Sequence, residues 1–295
     1  MDKSYRGQAP QDIYSLLSKP ANNKSTPQDK SFNSIFITDF SSASNDVFHI
    51  GKNGYRFKDV VLSKSIEEEV QGIVFEQQDK DFFMTLDLVP TNKIMFYGEP
   101  GCGKTMLTYV MAGMLHRELK IVNLSKLVSS HLGETSNNLA NIFSKYGTKD
   151  YVLFIDEFDI IGRLRGDTNN EHNEMKRIVN TLLQLIDFFP SEGFLVFATN
   201  NLEVIDKALI RRLDRVIEIP LPDQAAIKQF LKIKLVKYEN FLDKINYITL
   251  SKSFLGKSFS DIQRTLQKTI KNTLITYRKS GETIKITTKD LEFQK

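Results

Sequence analysis

The chain reads as an α/β protein: a parallel five-stranded sheet flanked by helices, followed by a smaller helical unit. Three observations predict this. Short apolar strands alternate with helical stretches between residues 94 and 219, the pattern that builds a parallel sheet covered on both faces. One of those strands, residues 94–97 (IMFY), runs straight into the loop GEPGCGKT at 98–105, and an apolar helical stripe follows. Beyond residues 219–223 (IPLPD), where two prolines bar continuation of helix or ladder, only helical spacing is convincing.

In chain order, residues 1–46 are rich in Ser, Asn, Lys, Gln and Asp, with apolar islands only at 13–17 and 32–40. This is the composition of a flexible arm or of a segment that recruits a partner, and both readings stay open. Residues 47–57 carry apolar side chains on either side of Gly51-Lys52-Asn53-Gly54, which predicts a hairpin. Residues 65–83 show helical spacing through Ile66, Val70, Ile73, Val74 and Phe82. After the glycine loop, strands are expected at 120–124, 151–155, 194–198 and 216–219, and helices at 136–146 and 171–189, the second stopped by Pro190. Asp223 suits an N-cap, and the helical stripes beyond it run through Ile227, Phe230, Leu231 and Leu235, then Ile262, Leu266, Ile270 and Leu274. A capping box, Ser258-Phe259-Ser260-Asp261, opens the last long helix. The division expected is an arm (1–46), a large α/β domain (47–220) and a small helical domain (221–295).

Composition narrows the classes. With 295 residues, 41% hydrophobic and 26% charged, the chain is an ordinary globular one. No run approaches the ~18 apolar residues of a membrane helix, and the start lacks the pattern of an export signal. A single cysteine, Cys102, excludes an internal disulfide and points to a reducing cytoplasm. The net charge of +4 is spread over 40 basic and 36 acidic residues, so no nucleic-acid footprint is read from it.

The chemistry is concentrated in two motifs. Residues 98–105 fit the phosphate-binding pattern of glycine, four residues, then Gly-Lys-Thr. Gly98, Gly101 and Gly103 allow backbone amides to turn inward around a phosphate, with Glu99, Pro100 and Cys102 between them, and the helix entered at Met106 aims its positive end there. Lys104 reaches the terminal phosphates and Thr105 offers its hydroxyl to Mg²⁺. The second motif is the apolar strand 151–155 ending in Asp156 and Glu157, which suits Asp156 to hold Mg²⁺ and Glu157 to orient an attacking water. Cys102 lies at a helix N-terminus, where the dipole favours thiolate, but an inert small filler is the favoured reading.

With these residues in place, the sequence resembles the AAA+ ATPases, more narrowly the classical AAA clade in its compact bacterial single-ring form. The resemblance runs from about residue 55 to 275 and implies a P-loop NTPase sheet, a C-terminal helical lid, and ATP with Mg²⁺ as cofactors. Ala198-Thr199-Asn200-Asn201 resembles sensor 1, which implies that Asn200 bonds the γ-phosphate or the attacking water. Residues 206–215 resemble the arginine-finger segment, which implies that Arg212 and Arg215 enter a neighbouring subunit's site in a ring, usually of six. Asp59-Val60-Val61 resembles the adenine-contacting Asp-Ile-Gly with the glycine missing, and Gly256 is a candidate for the lid's nucleotide side. Ser258-Phe259-Ser260-Asp261 resembles the Ser-Gly-Ala-Asp that opens the lid helix against adenine, and no arginine stands there, which agrees with the classical clade. Residues 129–135 (SSHLGET) resemble the first pore loop, implying that His131, Leu132 and Gly133 line a central channel; a polar surface loop is the plainer reading. A second polar loop, 162–173, is a further channel candidate.

The functional expectation is a ring motor that hydrolyses ATP to unfold or remodel a protein client, with a separate protease or adaptor as a possible companion. A nucleic-acid motor or loader, or an ATP-responsive regulatory scaffold, are the rival classes. A basic aromatic pore or added DNA-binding domain, which the former needs, is not readable here.

Overall fold

The computed structural model describes residues 47–130, 134–163, 169–280 and 285–293. The expected arm, residues 131–133 of the pore-loop candidate and residues 164–168 of the second loop lie outside them. In chain order the elements are β1 (Val47–Ile50), α1 (Lys64–Gln78), α2 (Lys80–Thr85), β2 (Lys93–Tyr97), α3 (Lys104–Met114), β3 (Glu118–Asn123), α4 (Leu124–Ser130), α5 (Thr135–Tyr146), β4 (Tyr151–Asp156), α6 (Ile160–Arg163), α7 (Asn169–Asp187), β5 (Phe194–Thr199), α8 (Lys207–Ile210), β6 (Arg215–Glu218), α9 (Gln224–Leu235), α10 (Tyr247–Ser253), α11 (Phe259–Ser280) and α12 (Thr288–Leu291).

The sheet has the order β1-β3-β4-β5-β2-β6. The five expected parallel strands are β2 to β6, and β1 joins them as an antiparallel edge against β3. The expected hairpin at 47–57 does not form. Neither Gly51 nor Gly54 takes the positive φ that a tight Asn-Gly turn needs. Instead the Asn53 side chain accepts the Tyr55 amide at 2.9 Å, and Arg56 Nη1 donates to the Gly113 carbonyl at 3.0 Å. Those bonds draw residues 55–56 onto the end of α3 and leave β1 to pair elsewhere. The single helix expected at 65–83 is likewise two, α1 and α2, hinged at Asp79, whose backbone (φ −113°, ψ 34°) is not helical.

Every residue of β5 and the middle of β4 are buried, which is why these segments read as unbroken apolar runs. One face of the sheet packs on α5 and α7 through Leu153, Ile155, Leu139, Phe143, Ile178 and Leu182. The C-terminal helices have a core of their own, centred on Leu231, Leu235, Phe254, Ile262 and Leu266, into which Val61 also packs. Ser258 and Asp261 form the expected cap of α11: Ser258 Oγ accepts the Asp261 amide at 3.2 Å and donates to Asp261 Oδ2 at 2.8 Å. Among the described residues no helix is long and apolar enough to cross a membrane.

Candidate nucleotide site

Strand β2 delivers the chain to Gly98 at the carboxyl end of the sheet. Here the backbone has φ +136°, and a Cβ would lie 2.2 Å from the Ile219 carbonyl oxygen, so only glycine fits between β2 and the end of β6. The loop continues to Gly103, also at positive φ, and α3 begins at Lys104. Glu99 and Pro100 are exposed at the rim, Thr105 is half-buried, and Met106 is buried under the helix.

Lys104 is only 8% exposed, and its ammonium donates to the Gly98 carbonyl at 2.7 Å, the Glu99 carbonyl at 3.0 Å and Asn200 Oδ1 at 2.8 Å. All three acceptors are neutral. Burial holds the Lys104 pKa below the usual lysine value, while Cys102, Asp156, Asp159 and Glu99 work against that fall. A cation held dry against neutral oxygens, beside a glycine loop and a helix start, is a setting that gains strongly from an anion.

β4 and β5 are adjacent and in register, Ile155 opposite Phe197, so Asp156 emerges beside Thr199 and Asn200. Burial pushes the Asp156 carboxyl above the usual range, opposed by the Glu157 amide, which donates to Asp156 Oδ1 at 2.9 Å. Glu157 itself is exposed and sits at φ +57°, a left-handed backbone costly for a residue with a Cβ. It is fixed there by neighbours on both sides, since the Phe158 amide donates to the Ala198 carbonyl at 2.9 Å and the Phe158 ring packs on Phe197 with centroids 4.5 Å apart. The chain thus turns sharply after Asp156, leaving Glu157 facing outward. Asp159, buried and close enough to influence Lys104, belongs to the same group; its place directly after the carboxylate pair was the available signal, and sequence reasoning passed over it.

Of the two readings of Cys102, the structure opposes the thiolate and agrees with the small buried filler. The thiol is buried, and desolvation raises its pKa, with Lys104 only partly offsetting. Loss of water outweighs the helix end here.

The C-terminal helices touch the loop directly. The Ser260 amide donates to the Gly101 carbonyl at 3.2 Å, and a Cβ on Gly101 would meet Ser260 Cβ at 2.7 Å and Ser258 Oγ at 2.8 Å. Ser260 was not named as a site residue from sequence, although it lies inside the Ser258-to-Asp261 motif read there as the opening of the lid helix against adenine. Gly256 takes φ +77° in the turn before α11, and no neighbour lies within 4 Å of where its Cβ would be. At the other edge Asp59 is exposed and accepts the Arg56 amide at 2.8 Å, Val60 is half-buried, and Val61 carries this segment under the C-terminal helices.

Arg212 and Arg215 stand apart from all of this. In the β2–β6 ladder Arg215 faces Ile94, at the amino end of β2, four residues below Gly98. At about 3.3 Å per residue that is roughly 13 Å along the strand from the loop. Arg212 Nε donates to Asp187 Oδ1 at 2.7 Å, at the end of α7, and its Nη1 to the Ala208 carbonyl at 2.9 Å. Asp214 between them accepts the amides of Asn92 and Lys93, each at 2.8 Å, which anchors the segment at the amino end of the sheet.

A parallel sheet with a glycine loop between its strand β2 and helix α3, and a carboxylate pair ending β4, defines a P-loop nucleoside triphosphatase. Comparison with known proteins narrows the class. Residues 94–221 match the model of the ATPase family associated with various cellular activities (AAA). The chain is 36% identical over 240 residues to an AAA family ATPase of Sinorhizobium fredii, an alignment covering 81% of this chain and 72% of that one. It is 32% identical to a proteasome-activating nucleotidase of Methanoculleus marisnigri, over 68% of this chain and 50% of the relative. With the ATP-dependent zinc metalloprotease FtsH of Aquifex aeolicus it shares 30% identity, over 83% of this chain and 39% of the relative. The chain belongs to the AAA family, in the classical clade of AAA+ ATPases, and is an ATP-hydrolysing enzyme.

Proposed function

We propose that this chain is the subunit of an ATP-driven ring, of six copies as is common in the family, that unfolds or remodels a protein client. The position of Arg215 carries the reading. An arginine side chain spans about 7 Å, so from the amino end of β6 neither Arg215 nor the Asp187-bound Arg212 reaches its own phosphate loop. Their distance from it supports a role for both in another copy's site.

Within one copy, Lys104 and the amides of residues 98–105 take the phosphates, with Lys104 exchanging its carbonyl partners for phosphate oxygens. Thr105 and Asp156 would hold Mg²⁺, which would supply charge neutralisation and Lewis acidity at the phosphates. Glu157 orients the attacking water and draws off its proton. Asn200, released as Lys104 moves, turns its amide toward the γ-phosphate. Asp59, Val60 and Gly256 border the adenine. Arg212 and Arg215 of the next copy meet the charge that builds on the transferring phosphoryl group.

The boundary between a large domain and a lid falls near residue 220, and ATP lies between them against Ser260 and Gly101. The Ser260–Gly101 bond gives the lid a direct contact with the loop, so that a change of nucleotide moves the lid and, through it, the channel loop bearing His131, Leu132 and Gly133. A protein client is favoured over nucleic acid by the relatives, one a proteasome-activating nucleotidase and the other an ATP-dependent protease. By the same likeness a separate protease or adaptor is a fitting companion.

The test compares ATP turnover with an unfolded protein and with single-stranded DNA added. Stimulation by the unfolded protein alone is expected. Stimulation by DNA alone would move the chain to the nucleic-acid motors, and indifference to both would make it a switch.

A further inference from the structure

The last side chain of β5 clamps the chain across Asn200. Thr199 is 1% exposed, and its Oγ1 accepts the Asn201 amide and donates to the Asn201 carbonyl, both at 3.1 Å. One hydroxyl thus holds both backbone polar groups of the residue two places on, with Asn200 enclosed between. The turn is fixed at either end. On the strand side Thr199 pairs with Tyr97 in the ladder with β2, and the Ala198 carbonyl accepts the Phe158 amide at 2.9 Å. On the far side Asn201 Oδ1 accepts the Glu203 amide at 3.0 Å and opens the short helical turn Leu202–Val204, which leads to the buried Ile205.

Asn200 itself stands exposed, with its Oδ1 accepting from the Lys104 ammonium at 2.8 Å. That bond is given up as Lys104 turns to the phosphates, so it does not aim the amide during hydrolysis. What aims it then is the backbone on which it stands. Thr199 is buried, so water does not readily replace a hydroxyl bond lost there. A displaced amide would still leave Lys104 and the glycine loop free to bind nucleotide, and the cost would fall on the transition state.

We propose that Thr199 is a positioning residue for ATP hydrolysis: its hydroxyl sets the Asn201 backbone and so aims the Asn200 amide at the γ-phosphate or the attacking water. The inference rests on the reading of Asn200 given above and deepens it. It gives Asn200 a support inside its own copy, independent of any ring.

The test is steady-state ATP turnover of the full chain with Mg²⁺, beside titration with a fluorescent ATP analogue. Thr199→Val keeps the shape of the side chain and removes the hydroxyl. It should lower kcat by about ten- to hundredfold, the scale of a displacement of order 1 Å at a reacting group, with KM and analogue binding changed by no more than about twofold. Thr199→Ser restores the hydroxyl and should recover most of that loss, whereas Thr199→Ala, smaller and without it, should not. A double variant separates positioning from plain support. If Thr199 acts through Asn200, Thr199→Val added to Asn200→Ala should lower kcat no further than Asn200→Ala alone, while a residue that merely steadies the strand end would lower it again. Should Thr199→Val fail to bind the analogue, the same comparison is made with Thr199→Ala. Four results each overturn the proposal and leave Asn200 in its role: wild-type turnover without the hydroxyl, no recovery with Thr199→Ser, loss of analogue binding in both variants that lack the hydroxyl, or additive losses in the double variant. Wild-type turnover in Asn200→Ala overturns the role of Asn200 itself, and this proposal with it.

Discussion

At the carboxyl end of the sheet Lys104 and Asp156 are held largely dry, the one with its pKa lowered and the other with its pKa raised by burial, and Glu157 sits in a left-handed backbone. At the amino end Arg212 and Arg215 lie near or at the surface, Arg212 on Asp187 at 2.7 Å with both side chains partly exposed. The first arrangement is costly to the fold and becomes favourable only when an anion and a cation arrive. The second costs little and leaves the arginines available to something outside the chain. The difference accords with the proposed reading, in which one copy holds the binding half of an ATPase site at one end and presents a transition-state half at the other. Substitutions at the two ends should therefore fail in different ways.

The largest effects belong to the carboxyl end. Lys104→Ala should abolish ATP binding, because it removes the buried cation facing the loop, whereas Glu157→Gln should keep binding and lose turnover by a factor of order 10³ or more. Fluorescent-nucleotide titration beside a phosphate-release assay separates the two. Equal loss of binding in both would erase the distinction between a binding and a catalytic group.

At the amino end, Arg212→Ala and Arg215→Ala should each lower turnover by about 10³-fold with ATP affinity nearly unchanged, as expected of groups that act on the transition state. The fold should lose no more than about 1 kcal/mol with Arg212, since its bond to Asp187 is partly solvated. Weakened ATP binding in these variants would place the arginines in their own copy's site.

A smaller effect sharpens the contrast in strain. Glu157→Gly removes a side chain from a left-handed position and should raise stability by about 0.5–1 kcal/mol in urea unfolding, while turnover is lost. Gain of stability with loss of activity at one residue is the mark of a site whose geometry is imposed by its surroundings. A destabilised Glu157→Gly protein would mean that the turn is not strained.

Much of the carboxyl end was legible in the sequence. Apolar strands ending abruptly in glycine or carboxylate put Gly98, Lys104, Asp156 and Asn200 at the same edge, because parallel strands in one sheet end together. What was not legible depends on tertiary neighbours. β1 pairs with β3 because Asn53 and Arg56 tie the following residues to α3. The break at Asp79 is hidden by apolar spacing that suits one helix or two. The direction of the Cys102 shift turns on burial, which a helix-end argument does not contain. The Lys104–Asn200 bond joins residues 96 apart in the chain, and no local pattern announces it.

A separate effect, on stability alone, concerns a charge that neither end uses. Lys120 on β3, buried beside His49 and Glu118, has its pKa lowered to about 8, chiefly by desolvation and then by Lys145. The unfolded chain holds this proton up to about pH 10.4. Between about pH 8 and pH 10 the unfolded state therefore binds more protons, and stability should rise with pH relative to a Lys120→Met variant; below about pH 8 the difference should be flat. Urea midpoints of the two proteins across that range give the answer. A difference that falls with rising pH would show that Lys120 is stabilised as a cation.

Whether the two ends meet across a boundary between copies is tested most directly by mixing. Arg212→Ala protein lacks the presented group and Lys104→Ala protein lacks the binding group, so each alone should be inactive. In mixed rings, an Arg212→Ala copy that binds ATP can receive the intact Arg212 and Arg215 of a Lys104→Ala neighbour, and turnover should recover in part. Mixtures shown by sedimentation to co-assemble, yet with turnover no greater than the two proteins measured separately, would contradict the account.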